Sequence, residues 1–144
     1  MSAVIVDTSA ILALFDEDYA EHATLAGLIA TAAGPFVVSP FVLAEADYML
    51  HSRLGPAAAR RFAADVVAEA YELPEWTPFD HAAALAVSDQ FSTDKDYLGL
   101  ADASNVILAD RYRTTSIATL DQRHFRTLRP LWGASHFTVL PYDG

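Results

Sequence analysis

Short segments rich in apolar residues recur along this chain, and they constrain its fold more than any other feature. In Ala3–Val6, small and β-branched residues follow one another without the polar alternation of a half-exposed strand. Similar short strands are predicted at Phe36–Ser39, Tyr71–Leu73, Thr115–Ala118 and Phe137–Leu140. Because a strand that is apolar on both faces is buried on both faces, the pattern favours a parallel sheet covered by helices.

Helical segments separate these strands, and their ends carry clear stop and start signals. Gly34-Pro35 and Gly55-Pro56 interrupt the helical pattern, while Ser9 and Thr77 stand where helix caps are expected. The predicted helices are Ala10–Phe15, Tyr19–Ala33, Phe41–Leu54, Ala57–Ala70, Pro78–Phe91 and Leu98–Tyr112. Alternating strands and helices with short connections predict an α/β fold, a three-layer α/β/α sandwich with a mostly parallel central sheet, in a single domain over residues 1–144.

Composition excludes several classes of protein and of chemistry. No segment approaches the roughly 20 uninterrupted apolar residues of a membrane-spanning helix, and Ala3–Val6 is too short for the apolar part of a secretory leader. We therefore expect a cytoplasmic protein that is not membrane-bound. The chain has no cysteine, which excludes thiolate nucleophiles, disulfides and thiolate zinc sites, and its five histidines are too scattered to form a ligand pattern. Its chemistry must rely on oxygen ligands and arginine.

Four acidic residues occupy positions where a carboxylate is costly unless something compensates its charge. Asp7 and Asp121 each follow an apolar strand, at the edge of a parallel sheet where ligands usually bind. Asp102 lies between apolar segments near the start of a helix. Glu45 is in mid-helix with Phe41 and Met49 one turn away, so we predict that it points toward the core.

Asp47 serves as the internal control for this face assignment. At about 100° per residue, it lies roughly 200° around the helix from Glu45, on the opposite and exposed face. Ordinary roles stay open for the other acids when each is taken alone: Asp7 as a turn residue, Asp102 as a helix-start acid and Asp121 in an Asx turn. The four together are more specific than any one of them.

Carboxylates gathered in one crevice repel one another, and a divalent cation removes that conflict. Ligand sets made only of oxygen favour hard ions, so the pattern implies Mg²⁺ or Mn²⁺. Such an ion activates water and offsets the charge of a phosphodiester under attack. Phosphodiester hydrolysis is therefore the expected chemistry.

The ordered motifs resemble those of PIN domains of the VapC toxin type, from the first strand to the last. The matching segments are Val4–Ala10, Glu45, Leu100–Ser104 and Ala118–Phe125. The resemblance implies that Asp7, Glu45, Asp102 and Asp121 are the metal-binding and catalytic acids. It also implies a homodimeric endoribonuclease that cleaves RNA with Mg²⁺ or Mn²⁺ and is silenced by a VapB-type antitoxin in a type II toxin–antitoxin system.

Further residues take auxiliary roles by the same resemblance. Ser9 and Thr119 match positions where the family often has a hydroxyl near the metal, although helix capping and strand propensity explain them equally well. Members of the family vary in the fourth acid, so Asp121 is the least constrained ligand. Asp96 is either an auxiliary acid or, as we expect, a solvated loop residue.

The net charge of −10 is unusual for a protein that binds RNA, but basic residues are concentrated late in the chain. Five arginines and a single acid lie between Arg111 and Arg129, a local balance of +4. Arg123, Arg126 and Arg129 recur every three residues directly after Asp121, and on a helical turn Arg123 and Arg126 would hold RNA beside the metal. An ordinary solvated face is the equally weighted alternative. The remaining acidic surface suits an arginine-bearing antitoxin tail, and the helices between Phe41 and Ala70 offer a groove or a dimer face.

Two rival functions remain. An aspartyl-phosphate phosphotransfer enzyme also places acids at strand ends, but it would need a second acid two residues beyond Asp7, where this chain has Ser9. A receiver domain would need a well-placed late lysine, and Lys95 is the only lysine of the chain. The second rival is a non-catalytic PIN-like module that binds RNA or protein, against which the retention of all four acids counts.

Overall fold

A four-stranded parallel sheet forms the centre of the computed structural model, which describes residues 2–144. Met1, the first residue of the predicted domain, lies outside the described residues. The strands are β1 (Val4–Val6), β2 (Phe36–Val37), β3 (Ser116–Ala118) and β4 (Thr138–Leu140), in the order β2-β1-β3-β4. Every neighbouring pair is parallel, which confirms the predicted parallel sheet.

Helices cover both faces of the sheet. They are α1 (Thr8–Phe15), α2 (His22–Thr31), α3 (Pro40–Leu54), α4 (Pro56–Val67), α5 (Pro78–Phe91), α6 (Leu100–Arg111) and α7 (Gln122–Thr127). Ile5 packs into one core with residues of α5, α6 and α7, whereas Val4 and Val6 pack into a second core with residues of α1, α3 and α4. Because successive side chains of β1 enter opposite cores, the strand is uniformly apolar, and the three-layer sandwich is confirmed.

The order of the strands creates a crevice between β1 and β3. The chain leaves β1 toward β2 on one side and later returns to β3 on the other side, so connections diverge at this point. In the register, Val6 pairs with Ala118, and the Asp7 N–H donates to the Ala118 carbonyl at 2.9 Å. Diverging connections leave room at the carboxyl ends of the strands, which places Asp7 and the residues after Ala118 at the natural ligand-binding edge.

Local sequence signals fix most helix ends. Ser39 caps α3 by accepting the Val42 N–H at 3.1 Å, and Gly55 separates α3 from α4 with a φ of +93° that other residues rarely adopt. Thr77 and Asp80 form a complete capping box at α5, as the sequence predicts. Within residues 2–144, each helix is too short or too polar to cross a bilayer.

The structure corrects three local predictions. Tyr71–Leu73 is not a strand, because only Glu72 makes a single parallel bridge, to Val37. Ser9 does not cap α1, which begins one residue earlier at Thr8, and Asp7 takes the cap position without a side-chain capping bond. The second helix, α2, is shorter than predicted at both ends, since residues 17–21 form turns and a bend and residues 32–33 lie outside regular structure.

Candidate metal centre

A pocket of about 580 Å³ opens at the carboxyl ends of β1 and β3. Four acids from distant parts of the chain line it: Asp7, Glu45, Asp102 and Asp121. They come from the end of β1, from α3, from the first turn of α6 and from the residue before α7. The structure therefore brings the four sequence-predicted acids to one site, while their roles as metal ligands stay predictions.

Asp7 is the most buried of the four, with 5% of its surface exposed. The Thr119 hydroxyl donates to Asp7 Oδ2 at 2.7 Å, and the Asn105 amide donates to Oδ1 at 3.2 Å. Burial raises the pKa of Asp7, the Thr119 hydrogen bond opposes that rise, and the charges of Asp121 and Glu45 add to it. The carboxylate is thus fixed in orientation but carries an unfavourable charge.

Asp102 lies in the first turn of α6, and its carboxylate charge is also unfavourable in its surroundings. Burial raises the pKa of Asp102 to about 7, and the nearby charges of Asp7 and Asp121 contribute to the rise. A group with such a pKa is half protonated near neutral pH unless a cation is present. The site therefore contains more negative charge than its surroundings can stabilise.

Asp121 is held by a residue that the sequence reasoning missed, His124. The His124 backbone N–H donates to Asp121 Oδ1 at 3.1 Å, and the ring Nδ1 lies 2.7 Å from Oδ2. The ring Nε2 lies 3.1 Å from Asp96 Oδ1. Because ionised carboxylates only accept hydrogen bonds, contacts to a carboxylate at each ring nitrogen favour the protonated, positively charged imidazole. Burial lowers the pKa of His124, but its hydrogen bonds to Asp96 and Asp121 outweigh that effect and raise it.

The expectation that the histidines are too scattered for a site is thus wrong for His124. Its side chain is 17% exposed and its Nδ1 also lies 3.3 Å from Asp102 Oδ2. The signal in the sequence was its spacing, three residues after Asp121, which puts both on one side of a helical turn. Asp96 is correspondingly more than a solvated loop residue, because it anchors the outer side of the ring.

The two predicted hydroxyl residues, Ser9 and Thr119, connect the strands at this edge. Their side-chain oxygens lie 3.2 Å apart, and Ser9 Oγ accepts the Leu120 N–H at 2.8 Å. Thr119 Oγ1 accepts the Asp121 N–H at 3.0 Å while donating to Asp7. Thr119 therefore links two of the acids directly.

Glu45 differs from its prediction. It is exposed rather than turned toward the core, although it still lines the pocket together with Phe41 and Met49 from the same face of α3. The reason is that this face of α3 borders the open pocket instead of the packed interior. Asp47 lies on another face, in a separate groove of about 290 Å³ with Arg60, in agreement with its use as a control.

The arginines after Asp121 do not form the predicted cluster at the acids. Arg126 makes a two-pronged ion pair with Asp143, with nitrogen–oxygen distances of 2.6 and 2.8 Å. Arg129 donates to backbone carbonyls at the end of α7. Arg123 is 73% exposed and reaches Asp96 at 3.4 Å, so only this one stays near the site.

A different arginine lines the pocket, and the sequence reasoning did not single it out. Arg53 lies two turns after Glu45 on α3 and donates to the Tyr19 hydroxyl at 3.3 Å. Its spacing from Phe41, Glu45 and Met49, four residues at each step, was the available signal.

The donor set fits a hard divalent cation. Carboxylate oxygens from several acids meet at the pocket, and ligand atoms of Asp102, Asp121 and His124 lie within 4.8 Å of one another. In residues 2–144, the buried Thr8 Oγ1 and Asn105 Oδ1 lack hydrogen-bond partners beside these acids. Unsatisfied oxygens and excess negative charge are both relieved by a cation with its bound water.

Known proteins are similar to this chain in sequence and in fold. The sequence model of the PIN domain matches residues 4–129. Ribonuclease VapC26 of Mycobacterium tuberculosis is 41% identical over 138 residues, which cover 96% of this chain and 100% of that protein.

Two solved structures share the fold. The crystal structure of VapC20 from Mycobacterium tuberculosis, a sarcin-ricin loop cleaving toxin, aligns with a TM-score of 0.73 and 22% identity over 84% of this chain and 92% of its own. VapBC2 from Rickettsia felis, bound to a DNA fragment from its promoter, aligns with a TM-score of 0.63 and 13% identity over 91% and 99% of the two chains.

Proposed function

Because the chain belongs to the PIN-domain family and has a VapC ribonuclease as a relative along nearly its whole length, we propose that it is a metal-dependent endoribonuclease. The proposal includes its role as the toxin of a type II toxin–antitoxin system. One observation supports it most directly. Asp7, Asp102 and Asp121 share a pocket at the edge of the sheet, and the positive charge around them does not balance their carboxylates.

Asp7, Glu45, Asp102 and Asp121 would hold Mg²⁺ or Mn²⁺ in this pocket. When bound, such an ion lowers the pKa of water and stabilises negative charge on a phosphodiester. The chain's own contribution is to keep the acids in place. Thr119 and Asn105 fix both oxygens of Asp7, and His124 fixes both oxygens of Asp121. Carboxylates held this way need little rearrangement when the cation arrives.

Two protein partners are suggested by the family and by the negative charge of the pocket. We propose that a VapB-type antitoxin covers the pocket, since an arginine of a partner chain could offset the same acids that the cation offsets. VapBC2 of Rickettsia felis gives a precedent for a toxin of this fold in complex with its antitoxin. A homodimer is proposed as well, by analogy with the family.

Cleavage of RNA by the partner-free protein tests the proposal. Purified chain is mixed with total RNA and with Mg²⁺, Mn²⁺ or EDTA, and the products are separated by electrophoresis. We expect cleavage with either ion and none in EDTA. Absence of cleavage with both ions would exclude a ribonuclease. Formation of an acid-stable phosphoprotein would instead support the phosphotransfer rival.

A further inference from the structure

The short helix α7 carries residues of the metal centre, but it cannot be stable by itself. Asp121 caps its start and His124 lies one turn later, in a helix of only six residues. An isolated helix of fewer than about 12 residues is marginal in water, so α7 depends on contacts with the rest of the protein. Phe125 provides one of them on the inner side, where its buried ring packs against Phe137 with ring centres 6.1 Å apart. Arg126 provides another on the outer side.

Arg126 joins α7 to the turn that follows β4. Its two terminal nitrogens lie 2.6 and 2.8 Å from the two carboxylate oxygens of Asp143, and one of these nitrogens also donates to the Gln122 side chain at 3.2 Å. A two-pronged pair fixes the direction of an arginine as well as its distance. Gln122 directly follows Asp121 in the chain. The guanidinium therefore connects Asp143 with the residue next to an acid of the metal centre.

Asp143 is itself fixed to the sheet. Its Oδ2 accepts the Val139 N–H at 2.7 Å, and its own N–H donates to the Val139 carbonyl at 2.8 Å, which closes the turn. Val139 is buried in β4, which pairs with β3. From the same turn, the Tyr142 hydroxyl donates to Glu21, the residue before α2. The hydrogen bonds from Arg126 and Val139 lower the pKa of Asp143 to about 2, so its carboxylate is charged at neutral pH.

We propose that Arg126 and Asp143 are positioning residues of the metal centre, which hold Asp121 and His124 in place through α7. The contacts run from β4 through Asp143 and Arg126 to the helix, and the helix begins at the acid. Neither positioning residue lines the pocket. The inference rests on the proposed metal-dependent function and adds to it a contact outside the pocket. Arg126 then supports the centre from behind instead of holding RNA.

The Mn²⁺ affinity of the partner-free protein tests this role, with the free ion measured by electron paramagnetic resonance. Arg126→Ala and Asp143→Ala should each weaken Mn²⁺ binding about threefold to tenfold, as expected of residues that act through their neighbours. The direction of the change in Arg126→Ala separates positioning from charge alone, because loss of a positive charge would by itself strengthen the binding of a cation. The double substitution should be no weaker than the weaker single variant, since both remove one contact.

The matched control is Asp110→Ala, which breaks the ion pair of 2.9 Å between Arg113 and Asp110. The side chains of Asp110 and Asp143 are 39% and 29% exposed, and each substitution removes one negative charge. Asp110 follows Asp102 by eight residues on α6, which puts their backbones about 12 Å apart. The control should leave Mn²⁺ affinity unchanged. Arg126→Lys should retain part of the affinity, because lysine keeps the charge but cannot form both prongs.

The imidazole of His124 reports the same effect without any metal. The chemical shifts of its ring nitrogens depend on its hydrogen bonds to Asp121 and Asp96, and proton–nitrogen correlation spectra record them. These shifts should move in Arg126→Ala and Asp143→Ala but not in the control. If both variants lose stability to urea while the ring shifts and the Mn²⁺ affinity stay those of the parent, the ion pair only stabilises the fold and the inference is overturned.

Two results distinguish failure of this inference from failure of the function. If the parent binds Mn²⁺ and cleaves RNA while Arg126→Ala binds the ion as tightly as the parent or more tightly, the positioning role is wrong and the metal centre stands. If the parent binds no Mn²⁺, the metal centre is wrong and its positioning residues are wrong with it.

Discussion

The two walls of the pocket are built in opposite ways. The strand wall consists of Asp7, Asp102 and Asp121 together with Asn105 and Thr119, the side chains that hold Asp7. It is buried or half-buried and closely hydrogen-bonded. The helix wall, which consists of Phe41, Glu45, Met49 and Arg53, is partly or fully exposed, and its one side-chain hydrogen bond joins Arg53 to Tyr19.

This difference separates two tasks. Acids that must be desolvated and close together need bonded neighbours to hold them, since otherwise they would turn away from one another or become protonated. A surface that receives a flexible strand can keep mobile side chains, because the strand itself orders them on binding. We therefore expect substitutions in the strand wall to affect the metal and the chemical step. Substitutions in the helix wall, apart from those of the acid Glu45, should affect mainly the substrate.

Asp7→Asn should give the largest effect. It removes the most buried charge of the strand wall, and we expect kcat for RNA cleavage to fall by about 10³-fold or more, which corresponds to the several kcal/mol that a well-placed cation provides. Single-turnover cleavage measures this, with circular dichroism to verify folding. Asp47→Asn is the matched control and should leave cleavage nearly intact. Equal losses in the two proteins would contradict the assignment of the chemistry to the pocket that holds Asp7 rather than to the groove beside Asp47.

The pH dependence of stability should reveal the repulsion inside the strand wall. In EDTA, the free energy of unfolding should fall as pH rises from about 4 to 7. The pKa of Asp102 is raised to about 7 in the folded protein, so between these values the folded state binds more protons than the unfolded state. The loss should be on the order of a few kcal/mol.

Urea unfolding of the parent and of Asp102→Asn measures this slope. The substitution should flatten it, because the asparagine has no proton to lose. Saturating Mg²⁺ should flatten it in the parent as well, since the cation favours the ionised acids. If the slope is the same in the parent and in Asp102→Asn, the ionised Asp102 carboxylate does not destabilise the folded protein.

His124→Ala should have a smaller effect and should act through the metal. The ring fixes Asp121 and connects it to Asp96, so its loss should weaken Mn²⁺ binding about 10-fold to 100-fold, the usual range for a residue that orients a ligand. Titration of free Mn²⁺ by electron paramagnetic resonance measures affinity without any substrate.

Two conservative variants sharpen this result. The amide of His124→Asn can replace the ring Nδ1 at Asp121 but cannot reach Asp96, and it should recover part of the affinity. Asp96→Asn keeps an oxygen acceptor for the ring and should bind Mn²⁺ nearly as the parent does. Unchanged Mn²⁺ affinity in His124→Ala would mean that the ring fills space but does not orient Asp121.

Glu45→Gln should give the smallest change among these acids. Glu45 lies on the exposed helix wall, where water screens its charge and leaves it free to reorient. We expect a loss of Mn²⁺ affinity of about tenfold or less, measured by the same titration. A loss of Mn²⁺ affinity as large as that of Asp7→Asn in the same titration would remove the distinction between the two walls.

Much of the arrangement follows from local pattern. The segments rich in apolar residues predict buried parallel strands, and the acids directly after Val6 and shortly after Ala118 predict a site at their shared edge. The Gly55-Pro56 break and the Thr77 cap are correct for the same reason, because each depends only on neighbours in sequence. That residues 1–144 form one domain stays a prediction.

The orientation and partners of individual side chains depended on tertiary structure. Helical periodicity places Glu45 on an apolar face, but only packing shows that this face borders an open pocket rather than a core. Arg126 has a suitable position after Asp121, yet it pairs with Asp143, which β4 and the residues after it bring near.

The sequence by itself thus determined which strands and helices form and which acids stand at their ends. The periodicity of apolar residues and helix capping both act over a few residues. Only the tertiary structure decided that His124 joins Asp121 to Asp96 and that Arg53, not the arginines of α7, lines the pocket. Contacts of this kind join residues 28 or 34 positions apart, as in His124 with Asp96 and Arg53 with Tyr19. Charge pairing depends on distance in space, and that distance is set by how the helices pack on the sheet.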